Sequence, residues 1–306
     1  MSAREVTARD AHMCTTAAMG TTCSVQVLGH GSSSKARNER RQAAERAIGW
    51  FERVESVCSR FLPESELRQL SAHIGEPMVA SEMLFELVQF ALAVADATNG
   101  KFDPTVGHRM EARGFNREHR TGEVTPAQVD ASDDVSYRDV SLDAKARTIT
   151  LHRPLVLDLG AVAKGLAIDM AARELAAFSD FGIDAGGDLF LGGHNADDEP
   201  WAVGIRHPRD REQWLDSVRV SNAAVCTSGD YERMNHILDP VAGDTAQGVA
   251  SVTVIAPSAM VADAMATAAF VMGPVDGIAL LAEHELAGLL VTTSLERFTT
   301  EFWRHG

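Results

Sequence analysis

Cysteine is scarce in this 306-residue chain. There are four, Cys14, Cys23, Cys58 and Cys226, and no two stand as C-x-x-C. That spacing argues against a zinc ribbon or a redox pair, and predicts reduced, buried thiols of the kind found in cytosolic proteins. The first 20 residues, MSAREVTARDAHMCTTAAMG, lack the apolar core of a signal peptide. Cys14 is therefore not expected to be a lipoprotein cysteine, and a cytoplasmic location is expected. No apolar run approaches the ~18 residues of a membrane span. Positive charge is short as well: 28 Lys and Arg against 43 Asp and Glu leave a formal net charge of -15. Such a surface repels nucleic acid and anionic membranes, so neither is expected as a partner. An anionic small ligand needs a local cation or metal to overcome the same field. G-x-G-x-x-G and G-x-x-x-x-G-K-[ST] are both missing, which weakens the Rossmann and P-loop readings. No repeat of about 20–50 residues is apparent.

What is present is a globular composition, 45% hydrophobic and 23% charged, on a chain long enough for one large domain or two intertwined ones. Residues 1–17 are expected to form a flexible tail and residues 18–306 the folded domain. The most informative stretch runs from Leu155 to Gly193. Leu155-Val156-Leu157 has the pattern of a buried strand, closed by Asp158 and Gly160. Ala163, Ala167, Ile168, Ala171, Ala172 and Leu175 then recur at helical spacing, which predicts a helix over about 161–178. A second strand is expected after it, with Gly186-Gly187 inside it, marking a bulge or a place where a ligand meets backbone. Asp158, Lys164, Asp184 and Asp188 lie near the ends of these elements. Amide donors at the helix start favour an anion, so a phosphate beside Ala161–Lys164 competes with the plainer reading of a solvated lysine.

Elsewhere, alternation predicts a strand from Met19 to Leu28, and an apolar face through Ala44, Ala47, Ile48, Phe51, Val54 and Cys58 predicts a helix. Ser81–Thr98 reads as a second apolar helix stopped by Asn99-Gly100. Lys101-Phe102-Asp103-Pro104-Thr105-Val106-Gly107 is a fixed-shape loop, either a tight connection or a ligand contact. A hairpin is expected around Asp143-Ala144-Lys145, and further strands in WAVGIRHP, VRVSNAAVCTSG and VASVTVIAP. Arg233, His236 and Asp239 fall within seven residues of one another in a polar turn. Ser258 is expected to cap a helix from Ala259 to Met272, and Gly288–Thr293 to be the last strand. In that helix Asp263 and Thr267 stand one turn apart on one face. A carboxylate and a hydroxyl so placed offer oxygen ligands to Mg²⁺, or simply form a hydrogen bond to each other on a solvated face.

Eight of these stretches, taken together and in order, resemble the ApbE flavin transferases: MGT (19–21), SRFLPESEL (59–67), GKFDPTVG (100–107), LDLGAVAKGLAID (157–169), DAGGDLFLGG (184–193), TSGDYER (227–233), HILDP (236–240) and ADAMAT (262–267). The resemblance covers nearly the whole chain. It implies an α+β fold of antiparallel sheets with packed helices in two intertwined subdomains and FAD between them, rather than a doubly wound sheet. It also implies a Mg²⁺-dependent FAD:protein FMN transferase, which cleaves FAD, releases AMP and attaches FMN by a phosphoester bond to Thr or Ser of a target flavoprotein. By the same resemblance Met19, Phe61, Phe102, Asp103, Asp158, Lys164 and Ile237 contact FAD. Phe61 stands where the family often has a Tyr stacked on flavin. The Ala161 carbonyl, Asp263 and Thr267 surround the metal, and His236 and Arg233 serve the transfer. The chain departs from the family between Arg233 and His236, where a longer hairpin is usual, and at Val241-Ala242-Gly243, where Arg-Thr-Gly is common. An FAD pyrophosphatase giving FMN and AMP, or a non-catalytic FAD-binding protein, is the alternative.

Overall fold

Four serines set helix starts. Ser33, Ser65, Ser81 and Ser258 accept the backbone N–H of Ala36, Arg68, Leu84 and Val261. Each thereby satisfies a donor that the first helical turn leaves unpaired. They open α1 (Ser34–Cys58), α2 (Glu66–Ser71), α3 (Glu82–Ala97) and α6 (Ala259–Glu283). Between these lie α4 (Gly107–Ala112) and α5 (Gly160–Glu174). The computed structural model describes residues 10–304, apart from 32, 118–121, 126–128, 131, 133 and 232–236.

The strands before α5 are β1 (Asp10–Ala18), β2 (Thr21–Gly29), β3 (Met78–Val79), β4 (Val140–Asp143) and β5 (Thr148–Leu151). After it come β6 (Phe181–Ala185), β7 (Asp188–Gly192), β8 (Trp201–His207), β9 (Asp210–Val220) and β10 (Ala223–Gly229). The last are β11 (Leu238–Asp239), β12 (Asp244–Thr245), β13 (Val249–Ala256), β14 (Ala287–Thr292) and β15 (Arg297–Thr299). Eight of them form one sheet in the order β1-β2-β6-β7-β10-β13-β14-β15. Every neighbouring pair in it is antiparallel. The fold is α+β, as the resemblance implies. The strand–helix–strand unit is not doubly wound, because β6 and β7 pair as a hairpin instead of parallel to a preceding strand.

One face of the large sheet carries α1, α5 and α6. Phe51, Ile168 and Phe270 pack there with Val25, Val27, Val252 and Val254. The β8–β9 hairpin covers part of the other face, setting Val203, Ile205, Leu215 and Val218 against Leu191, Val225, Leu289 and Val291. Burying both faces explains why every residue of β13 except Ile255 is buried, Ser251 and Thr253 included. α6 is long and apolar enough to cross a membrane by length and composition. Here Ala262, Ala264, Ala266, Ala268, Ala269 and Phe270 are all buried in the main core. Their small side chains let the helix lie close to the sheet.

Several sequence expectations need correction. Residues 10–17 of the expected tail are strand β1, paired along its whole length with β2. Its polar, alternating residues suit an edge that is half exposed. Leu155-Val156-Leu157 is buried but is not a strand; a single parallel bridge joins Val156 to Val106. Gly186-Gly187 does not sit inside a strand. It is the two-residue turn between β6 and β7, with φ of 67° and 99°, the left-handed region that type I′ turns require. The helix expected to end at Met272 does break there, at the non-helical Gly273 (φ 84°); a second helical segment, not expected, opens at Pro274 and carries α6 on to Glu283. β15 follows β14, so the last strand comes later than expected.

Candidate active site

The α5–α6 crossing organises the site. A Cβ at Gly165 would lie 2.4 Å from Met260 Cα and 2.6 Å from the Ala259 carbonyl oxygen, so only glycine permits this approach. The approach delivers Asp263 of α6 to the first turn of α5. The Gly165 N–H donates to the Asp263 carboxylate. In a regular helix that N–H serves the carbonyl of Ala161, so the third expected metal ligand shares its donor with the first. Lys164 Nζ donates to Asp263 Oδ2 at 3.1 Å and also contacts Asp188 Oδ2. Asp188 opens β7 just after the Gly-Gly turn, and its Oδ1 accepts the Thr227 N–H at 2.9 Å. Thr267, one turn beyond Asp263, bonds through its hydroxyl to Ser228 Oγ at 3.0 Å. Asp263 and Thr267 therefore do not bond to each other on a solvated face. Asp263 is 6% exposed, and burial pushes its carboxyl pKa up while Lys164 and the Gly165 N–H pull against that.

At the start of α5, Asp158 plays the part of a cap. Its Oδ1 accepts the Gly160 N–H at 2.8 Å, and its own N–H donates to the Pro104 carbonyl at 2.7 Å. The buried Arg60 donates from Nε to Asp158 Oδ2 at 2.8 Å. The same guanidinium lies 4.1 Å from the centroid of the half-buried Phe61 ring. Behind it, Glu111 is 4.0 Å from Arg60 and 3.9 Å from Arg68. Burial raises the Glu111 carboxyl pKa even though both arginines oppose it.

The loop 101–107 is held mainly from within. Asp103 accepts from Thr105 N at 2.9 Å, Thr105 Oγ1 at 2.7 Å and Tyr137 N at 2.9 Å. Phe102 is buried in the main core, which leaves its backbone as the part it can offer a ligand. Lys101 reaches Asp239 Oδ2 at 3.0 Å and Arg109 reaches the Pro240 carbonyl at 2.8 Å, so this loop is fastened to the segment after Ile237. Ile237 itself is buried. Burial pushes the Asp239 carboxyl up, but the Ala242 N–H, Lys101 and the Val241 N–H outweigh it and leave its pKa lowered.

Met19 is the first residue of the β1–β2 turn, at φ 54°, with its N–H on Glu55 Oε1 at 2.8 Å. That turn and the Gly186-Gly187 turn meet at one end of the sheet, where the Gly186 N–H donates to the Thr22 carbonyl at 3.2 Å. Arg233 and His236 lie outside the described residues. The structure thus brings Lys164, Asp188 and Asp263 together, with Thr267 one turn further along α6 and Ala161 in the first turn of α5, and ties Asp158 to Phe61 through Arg60. It gives Phe102 and Asp103 the surroundings of structural residues.

Arg60 and Gly165 were not singled out by sequence reasoning, and Asp188 was noted only as a charge at an element end, without a role. The usable signals were present: Arg60 adjoins Phe61, and Asp188 follows a Gly-Gly pair of hairpin type. A cavity of about 810 Å³ lies elsewhere, by the C-terminal half of α5, lined in part by Asp169, Phe178, Phe181 and His194. Its Asp169 carboxylate is spent on Ser258 Oγ and on the N–H groups of Ala259 and Met260.

The model of the ApbE family matches residues 19–290. Among curated relatives, an FAD:protein FMN transferase of Treponema pallidum is 32% identical, over 87% of this chain and 80% of its own. Among solved structures, the ApbE protein of Thermotoga maritima superposes with a TM-score of 0.82 at 29% identity, covering 95% of this chain and 97% of that one. The flavin transferase ApbE of Vibrio cholerae gives 0.83 at 26%, covering 96% and 98%. Likeness of this extent applies to the whole fold and not to one motif.

Proposed function

This chain belongs to the ApbE family, and on that premise we propose that it transfers FMN from FAD to a Thr or Ser hydroxyl of a target flavoprotein. The observation that carries the reading is the cluster at the α5–α6 crossing: Lys164, Asp188 and Asp263 in contact, with Thr267 one turn on. One ammonium facing two carboxylates is not by itself a positive site; the positive charge a pyrophosphate needs would come from Lys164 together with a divalent cation held by these hard oxygen donors.

The donor set fits Mg²⁺. The Asp263 carboxylate, the Thr267 hydroxyl and the Ala161 carbonyl are all oxygens, the ligands this ion prefers. The Gly165 N–H beside Asp263 is the one that a regular helix directs to the Ala161 carbonyl. When bound, the ion supplies charge neutralisation and Lewis-acid polarisation of the phosphates. The amides of the first turn of α5 favour the same anion. Phe61 presents a ring for the flavin, and Arg60 fixes that ring relative to Asp158.

In the transfer step the acceptor hydroxyl oxygen bonds to the FMN-side phosphorus. The bond from that phosphorus to the bridging oxygen breaks, and AMP leaves with that oxygen. The hydroxyl proton passes to the imidazole of His236, because an unassisted Thr or Ser is a poor nucleophile at neutral pH. Arg233 stabilises the transferring phosphoryl oxygens. Incubation with FAD, Mg²⁺ and a candidate flavoprotein, followed by intact mass and AMP assay, tests the reading. An FMN-sized addition with stoichiometric AMP is expected. AMP without adduct means hydrolysis, and unchanged FAD means binding only; either overturns the transferase proposal.

A further inference from the structure

Lys164 is placed where a metal ligand would have to be free. Its ammonium contacts both Asp188 and Asp263, and Asp263 Oδ2 is the acceptor of the 3.1 Å bond. Asp188 cannot swing away to relieve the contact, because its other oxygen is held by the Thr227 N–H at 2.9 Å. Asp263 is held in turn by the Gly165 N–H, at a crossing so close that Gly165 has no room for a Cβ. Both carboxylates are thus fixed by backbone donors, whereas the ammonium ends a flexible four-carbon stem. Two nearly buried carboxylates without a cation repel each other and lose their hydration, so a cation between them stabilises the charged pair.

We infer that Lys164 is the resident counter-ion of the Asp188–Asp263 pair, and that it excludes a divalent cation until an anionic ligand draws the ammonium away. Asp188, which has no other part in the site, is the anchor that parks the lysine. This rests on the functional reading above for the identity of the anion, the FAD pyrophosphate, but the exclusion itself needs no flavin. The arrangement makes metal entry follow ligand entry. It also predicts that low metal affinity in the free protein comes from the lysine and not from a shortage of oxygen donors.

The test uses Mn²⁺ as a paramagnetic probe, with free Mn²⁺ counted by electron paramagnetic resonance, on the full chain without FAD. Wild type is expected to leave the probe almost wholly free. Lys164→Gln is expected to bind one Mn²⁺ per chain roughly tenfold or more tightly, within the usual range of site-to-site coupling. Adding Asp263→Asn to that variant should abolish the gain. Lys164→Arg, which keeps the charge, should bind as weakly as wild type. Thermal melting identifies any variant that fails to fold, and Lys164→Met, which keeps an apolar stem, then replaces Lys164→Gln. Wild-type Mn²⁺ affinity in a folded Lys164→Gln or Lys164→Met overturns the proposal, as does a gain that survives Asp263→Asn. Because no FAD is present, either result leaves the transferase reading untouched. Failure of FMN transfer likewise leaves the counter-ion assignment standing.

Discussion

Asp103 and Asp263 are both buried aspartates, and both have carboxyl pKa values raised by burial. Their partners differ in kind. Asp103 accepts from two backbone N–H groups and one hydroxyl in its own neighbourhood. Asp263 has one backbone N–H and the end of a lysine. A carboxylate satisfied by fixed donors holds a loop in shape and cannot take a ligand without undoing it. A carboxylate paired with a flexible ammonium can exchange that cation for another. Burial and pKa direction alone do not distinguish a structural acid from a functional one; the mobility of the partner does.

The comparison can be broken most severely at Gly165. Gly165→Ala forces a methyl into the Met260 backbone and must push α6 away from α5. Overpacking of this kind costs about 1–3 kcal/mol, and more where backbone has to move. Calorimetry should show a large fall in melting temperature, and AMP release from FAD should be lost with it. Retained stability and activity would mean that the crossing does not position Asp263.

Exchanging each aspartate for asparagine sharpens the contrast. Asp103→Asn removes a charged acceptor from a buried loop, an effect of about 1–3 kcal/mol in denaturant unfolding. Asp263→Asn leaves Lys164 its partner Asp188 and should cost less stability. It should also stop Mg²⁺-dependent AMP release and erase the mutual enhancement of FAD and Mg²⁺ binding, which linkage makes equal in both directions. The opposite pattern, with Asp263→Asn the more destabilising and still active, would reverse the two assignments.

Phe61→Ala tests the platform beside Asp158. If flavin stacks on the ring, FAD affinity should fall by roughly 0.5–1.5 kcal/mol beyond area effects. Fluorescence titration against melting separates this from a core role, which would lower stability at unchanged affinity per folded molecule.

The smallest effect is in pH. Asp103 has a folded pKa above its ordinary 3.8, so the folded state binds its proton more tightly than the unfolded chain. The stability this contributes is complete below 3.8 and is lost as pH rises through the folded value. Wild type should therefore lose stability over that interval relative to Asp103→Asn, and parallel melting curves would exclude the raised pKa.

By itself the sequence determined the helix starts at Ser81 and Ser258, most of the strands, and the α+β family through eight ordered stretches. Serine caps, the Asn99-Gly100 stop and alternating apolar residues act within a few positions of one another, so they are legible one stretch at a time. It also pointed to Asp263 and Thr267 as a pair, because a one-turn spacing on a helix is local geometry. It misplaced Gly186-Gly187, since a glycine pair looks the same within a strand and at a hairpin turn until the pairing of β6 with β7 is known. It took β1 for a tail, since an edge strand needs few apolar residues. Only the tertiary structure decided that Lys164 faces two carboxylates and not solvent. Asp188 and Asp263 lie 24 and 99 positions along the chain from Lys164. Their meeting depends on a tight turn at one end of the sheet and on the missing side chain of Gly165 where two helices cross, and no local pattern records a distance set by packing.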